Sequence, residues 1–276
     1  MYVSSQSLYR NTLRTLTNIR LPPRHGRLGR LAFDGVLQAF RLCYAVYYRI
    51  KGSRKTKARV GKIISLEHKF VFFMIPKVAT SSFRRWQAQF EAIRTRSPLS
   101  KVVTDQAERE RYYRFAFVRN PWSRVVSCYN DKICNVNKIN KITIMARYPG
   151  LTPNMSFPDF VDWLCSEEGQ DAYADPHWRS QHDLLADESG KVRLDFVGRL
   201  ENLQGDMDEV CERISIPKFK IPHRNRARNG QETGEAGENG ESGREPRHYR
   251  DYYTNETRDL VAERYKKDLE TFGYRF

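Results

Sequence analysis

The stretch "FFMIPKVATSSFRRW" (72–86) passes from unbroken hydrophobicity into a proline–lysine pair, three hydroxyls and two arginines. That order fits a buried strand, a turn and the start of a helix. A helix N-terminus carries unpaired backbone N–H groups and a partial positive charge, so such a turn is suited to an anion. Lys77 adds an ammonium, and Thr80, Ser81 and Ser82 add hydroxyls. The glycine pattern of a nucleoside-triphosphate loop, GxxxxGK[ST], is absent, and Lys77 precedes the hydroxyls instead of standing directly before one. Taken alone, the string also suits hydroxyls that only cap a helix.

A second turn narrows the chemistry. In "FAFVRNPWSRVVSCY" (115–129), Arg119 follows a strand, Asn120 is placed to cap a helix and Pro121 stands at its first position. Ser127 comes two helical turns later. A guanidinium forks onto a phosphate, and a helix-borne hydroxyl can close the same pocket from the side. In open α/β sheets ligands lie beyond the carboxyl ends of the strands. Two such turns put two anion pockets on one sheet edge, which fits a nucleotide with phosphate at both ends of its ribose.

The elements that must position these residues follow from periodicity. From about residue 62, strands alternate with amphipathic helices, which predicts an α/β fold with a central parallel sheet flanked by helices. "FVFFMI" (70–75), "RFAFV" (114–118) and "RLDFVGRL" (193–200) read as strands. Helical spacing links Phe83, Trp86, Phe90 and Ile93, then Trp122, Val125, Val126, Tyr129 and Ile133, then Leu203, Met207, Val210 and Ile214. A last helix is expected over 255–269. Residues 134–175 look irregular, and 224–248, with five glycines and almost nothing apolar, reads as a flexible insertion.

The net charge of +15 over 276 residues is uneven. Residues 1–60 hold thirteen lysines and arginines against one acid, Asp34, while the rest of the chain is nearly balanced. The expected organisation is a basic helical arm (1–61) ahead of a catalytic body (62–276). The arm suits peripheral contact with an anionic surface, or simple solvation. Within it, 33–50 is the most apolar segment, but charged residues interrupt it and its spacing is amphipathic, so a packed helix is expected rather than a bilayer span. Neither a signal peptide nor a membrane anchor is read from the sequence. Five cysteines without paired CxxC spacing argue against a zinc site and a fully paired disulfide framework. A cytoplasmic or peripheral membrane location is therefore expected.

Five blocks in order across 67–276 resemble one family. "IPKVATSSFRRW" is similar to the 5′-phosphosulfate loop of sulfotransferases, and "FVRNPWSRVVSCY" to their 3′-phosphate motif, R-[ND]-P-x-x-R-x-x-S. "DPHWRSQ" (175–181), "DFVGRLENL" (195–203) and "YKKDLETFGY" (265–274) narrow the resemblance to Golgi carbohydrate sulfotransferases of the chondroitin/dermatan and HNK-1 type. The resemblance implies a P-loop-NTPase-like fold and the donor 3′-phosphoadenosine-5′-phosphosulfate (PAPS), which leaves as 3′,5′-adenosine bisphosphate. It further implies a glycan hydroxyl as acceptor, with neither a metal nor a specific nucleic acid, and offers the Golgi lumen as the alternative location.

Carried onto this chain, the donor loop is Pro76, Lys77, Val78, Ala79, Thr80, Ser81 and Ser82, with Lys77 at the bridging oxygen. Arg119 and Ser127 would hold the 3′-phosphate, and Arg124 has either a share in that site or a structural pairing with an acid. A base must take the acceptor's proton. His177 is the first choice because histidine is the side-chain type suited to proton transfer near neutrality and it lies in a family block. Glu201, after the third strand, is the runner-up, and His68 should lie at the wrong end of its strand. Trp178 and Arg179 are expected to stack on and hydrogen-bond a sugar. The chain departs from the family in its missing anchor, its long 224–248 stretch and Asn120 where many members carry an acid. Two other classes stay in view: a kinase, which would need a Walker loop and a magnesium-binding acid, and a non-catalytic polyanion binder built on the arm.

Overall fold

The computed structural model describes residues 60–87, 92–94, 110–134, 148, 150–152, 155–221 and 247–276. The basic arm up to residue 59 and residues 222–246, which include Arg224, Arg226 and Arg228, lie outside the described residues. By its contacts the chain divides into two units, Met1–Arg54 with Lys132–Asn154, and Lys55–Asp131 with Met155–Phe276. In the first, a short loop is closed by the Leu151 N–H on the Tyr148 carbonyl (3.2 Å). The second carries the sheet and the candidate site.

Strands β1 (Gly61–Ser65) and β2 (Phe70–Met74) form a hairpin, and a turn leads from β2 into α1 (Thr80–Gln87). Then come β3 (Ala92–Arg94), β4 (Tyr113–Val118) and α2 (Pro121–Tyr129), which passes into a π-helical turn, Asn130–Cys134. The remaining elements are α3 (Phe157–Cys165), α4 (Gln181–Leu185), β5 (Phe196–Arg199), α5 (Leu203–Arg213), α6 (Asn255–Arg264) and α7 (Lys266–Phe272). No helix among the described residues is long and apolar enough to cross a membrane.

The sheet is mixed, in the order β3-β1-β2-β4-β5. This corrects the expected parallel sheet. Strands β2, β4 and β5 are parallel, but β1 runs antiparallel to both β2 and β3. A four-residue connection can join only antiparallel neighbours, so the 66–69 turn dictates the direction of β1. His68 sits in that turn, at the amino end of β2. The carboxyl ends of β2, β4 and β5 share one sheet edge and deliver the Lys77 turn, Arg119 and Glu201 there.

Aromatic packing holds the sheet to its covering helices. The parallel register sets Phe72 beside Phe115 and Phe115 beside Phe196. The first two rings stack at 4.9 Å, and Phe83 of α1 lies against Phe72 (4.8 Å) and Phe117 (4.9 Å). Trp86 is fully buried, and α5 adds Leu203, Met207, Val210 and Cys211 to the same core. Such ring pairs contribute roughly 0.5–1.5 kcal/mol each beyond burial.

Two helical expectations change. Helix α1 ends at Gln87, and Ile93 instead pairs with Ile64 of β1; Phe90 lies outside the described residues. The last helix breaks at Tyr265 (φ −112°, ψ 24°), whose buried hydroxyl donates to the Trp178 carbonyl at 2.6 Å. Within 134–175, α3 is a regular helix with Ser156 and Asp159 forming a capping box.

Gly198 in β5 has no room for a side chain, because a Cβ there would meet the Phe117 ring at 2.5 Å. Gly198→Ala should destabilise the fold by about 1–3 kcal/mol, read from urea unfolding, because the ring on the neighbouring strand must shift.

Candidate active site

The 76–82 loop lacks glycine but not the conformation glycine usually supplies. Lys77 (φ 71°) and Ala79 (φ 42°) both adopt left-handed backbone, each at a cost of order 1–3 kcal/mol. Val78 between them is buried in the main core and pins the loop. The carbonyls on either side are held too: Pro76 accepts from Arg124 Nε (3.3 Å) and Lys77 from Arg119 Nη1 (3.2 Å). The Thr80 hydroxyl bonds back to the Ile75 carbonyl (3.4 Å). Ser82 is buried in the first turn of α1, and only the backbone of Ser81 is described. The Lys77 side chain is 15% exposed, and its ammonium pairs with Asp131 at 3.2 Å.

Arg119 leaves β4 with its backbone clamped by one side chain. Its N–H donates to Gln181 Oε1 (2.9 Å), and its carbonyl accepts from Gln181 Nε2 (2.8 Å). Gln181 is itself fixed by the buried carboxylate of Asp268, which accepts from the N–H groups of Gln181 (2.9 Å) and His182 (2.7 Å). Burial raises the Asp268 carboxyl above its ordinary value, against those bonds and the nearby Arg124 charge. The Arg119 guanidinium reaches two neutral acceptors, the Ser123 hydroxyl (2.7 and 3.0 Å) and the Lys77 carbonyl. Burial lowers its pKa to about 10, an effect that Glu201 opposes and Arg124 reinforces. It remains a cation at neutral pH, largely desolvated, so a phosphate would supply charge that its hydrogen-bond partners do not.

Asn120 caps α2 as expected, accepting from the Ser123 N–H. Its own N–H donates to Glu201 Oε1 (2.8 Å), while Glu201 Oε2 accepts from the Tyr274 hydroxyl (3.0 Å). Each oxygen of Glu201 thus already accepts a bond within the framework, which argues against it as the base. Burial and that carboxylate push the Tyr274 hydroxyl upward. Ser127, half-buried, lies on the helical stripe of Arg119, Ser123 and Asp131 that faces the donor loop.

Arg124 joins the two halves of the site, and its partners are carbonyls rather than the acid considered from the sequence. The side chain is buried, and Nη1 and Nη2 donate to the carbonyls of Arg179 and Pro176, both at 2.8 Å, while Nε reaches Pro76. The residues following those two prolines are Lys77 and His177. One guanidinium therefore anchors the donor loop and the His177 turn side by side.

His177 is one-third exposed, and its Nδ1 lies 2.5 Å from Asp175 Oδ1, which also accepts the His177 N–H (3.0 Å). A proton held on Nδ1 by this carboxylate leaves Nε2 as the lone-pair nitrogen. Trp178 and Arg179 depart from their expected place on the acceptor. Trp178 is buried edge-on against Trp163, and Arg179 is buried with its guanidinium on Asp183 (2.8 Å). Side chains so enclosed shape the turn from beneath and offer a sugar no face.

The sequence profile of the Sulfotransferase family matches residues 61–275. The chain belongs to that family. Among curated proteins it is 27% identical over 190 residues to carbohydrate sulfotransferase 14 of Mus musculus, covering 60% of this chain and 49% of that protein. It is 24% identical over 219 residues to carbohydrate sulfotransferase 8 of Homo sapiens, covering 66% and 51%. Carbohydrate sulfotransferase 12 of Mus musculus is 22% identical over 189 residues, covering 60% and 41%. The chain thus spans about half the length of the curated relatives it matches. No solved structure matches it significantly.

The structure adds Ser123, Asp131, Asp175, Gln181 and Asp268 to the site. Ser123 carries a local signal, its spacing of four from Arg119, and Asp131 continues that helical stripe four residues beyond Ser127. The Gln181 clamp and its Asp268 anchor carry none, because they act across 62 and 87 residues of chain. Arg124→Lys should keep the charge but lose the planar fork. We expect it to lower stability by roughly 2–4 kcal/mol in urea unfolding.

Proposed function

We propose that this chain transfers the sulfuryl group of PAPS to a carbohydrate hydroxyl. The observation that carries the reading is the Arg124 bridge, which sets Lys77, the left-handed donor loop and His177 side by side. Arg119, Ser123 and Ser127 lie on the adjoining stripe, where a 3′-phosphate fits. The strand–turn–helix of β2 and α1 supports the P-loop-like reading. The names of the curated relatives support a glycan acceptor.

In this reading Lys77 and the first turn of α1 hold the 5′-phosphosulfate. The donor supplies an activated sulfuryl group: its S–O bond to the phosphate breaks as a bond from sulfur to the acceptor oxygen forms. Lys77 offsets the charge that builds on the departing phosphate oxygen. His177 Nε2 takes the hydroxyl proton, and Asp175 holds the ring and stabilises the imidazolium. Asp268, Gln181 and Glu201 keep the 3′-phosphate arginine aimed without touching the reacting atoms. This positioning lowers the entropic barrier to transfer. The proposal requires no metal.

Thermal shift gives a first test: 3′,5′-adenosine bisphosphate should raise the unfolding temperature, whereas magnesium–ATP or heparin acting alone would favour a kinase or a polyanion binder. With labelled PAPS and a panel of glycans, Lys77→Ala and Arg119→Ala should each lose at least about a hundredfold in turnover. Near-normal turnover in either variant would remove the site assignment. His177→Ala should lose about 10²–10⁴-fold in turnover while binding the bisphosphate normally, and unchanged turnover would move the base elsewhere.

A further inference from the structure

The stripe of α2 that faces the donor loop ends on the wrong charge for an anion site. Arg119, Ser123 and Ser127 offer a cation and two hydroxyls, yet the fourth position, Asp131, places a carboxylate 3.2 Å from the Lys77 ammonium. The end of a helix is not a favourable place for that carboxylate. It lies two residues beyond the last residue of α2, in the π-helical turn Asn130–Cys134, and the carboxyl end of a helix disfavours negative charge. The two partners are also unequal. The Lys77 side chain is 15% exposed and the Asp131 side chain 44%, so the carboxylate sits on the solvent side of the ammonium.

Resting on the donor reading above, we propose that Asp131 is the resting counter-ion of Lys77 and that the donor takes its place. The loop strain and the two guanidinium bonds hold Lys77 near its working position. The Asp131 carboxylate satisfies the ammonium until a phosphosulfate arrives and then swings into water. The exchange favours ligands carrying dense negative charge at both ends of a ribose, because one end must displace a carboxylate while the other engages Arg119. A neutral or singly charged nucleoside lacks the charge to do both. Asp131 is thus a selectivity residue, which every donor must displace before it reaches Lys77.

The test is calorimetric titration of 3′,5′-adenosine bisphosphate into the full chain, its Asp131→Asn variant and its Asp131→Ala variant. Both variants should bind about three- to tenfold more tightly than the unmodified protein, since a partly exposed pair and a like charge have both been removed. The gain should shrink as salt is raised from about 0.05 to 0.5 M. Asp131→Asn preserves shape and Asp131→Ala removes all bonding, so an orienting role for Asp131 would weaken binding in the second. Unchanged or weaker binding in either variant, with the unmodified protein binding normally, overturns the counter-ion proposal and leaves the donor reading intact. If the unmodified protein fails to bind the bisphosphate, the donor reading falls and this proposal falls with it.

Discussion

The buried guanidinium of Arg124 is the interaction on which the site's geometry rests. A cation removed from water is tolerated only where its donors are met, and here three of them meet the carbonyls of Pro76, Pro176 and Arg179. Those carbonyls come from two turns a hundred residues apart in the chain. A planar fork can satisfy both turns at once, whereas a lysine ammonium on a flexible stem cannot hold the same directions. Because the acceptors are neutral, Arg124 keeps its positive field. That field lowers the Arg119 guanidinium and helps the buried Asp268 carboxylate. The result is a pair of guanidinium charges held in a largely desolvated setting.

The 76–82 loop shows how a tight strand-to-helix turn can dispense with glycine. Its left-handed residues, Lys77 and Ala79, bear a conformational cost that burial of Val78 and the bonds to two neighbouring carbonyls offset. A loop held this way is stiffer than a glycine-rich one. Its lysine and its N–H groups are therefore oriented before any ligand arrives, which is where electrostatic preorganisation draws its strength.

Behind these groups a layer of long-range bonds fixes their direction. Helix α7 supplies Asp268, which holds Gln181, which in turn grips both backbone polar groups of Arg119. Just beyond α7, Tyr274 donates to Glu201, Glu201 receives the Asn120 N–H, and the Arg275 carbonyl receives the Asn120 amide. Phe276 closes edge-on against Trp122 at 5.3 Å. The segment "YKKDLETFGY" is thus tied to the candidate site through its support of the Arg119–Asn120 turn.

The sequence by itself determined the local machinery: two strand–turn–helix units, the cap at Asn120, and the ammonium, guanidinium and hydroxyls at their mouths. These are legible because strand alternation, helical period and capping act over a few residues. The tertiary structure alone decided which neighbours those groups meet. It turned Trp178 and Arg179 into the core, made Glu201 a brace for Asn120 and Tyr274, and paired Lys77 with Asp131. Burial and hydrogen bonding across 40 to 155 residues settle such choices, and the order of residues along a chain carries no local record of them.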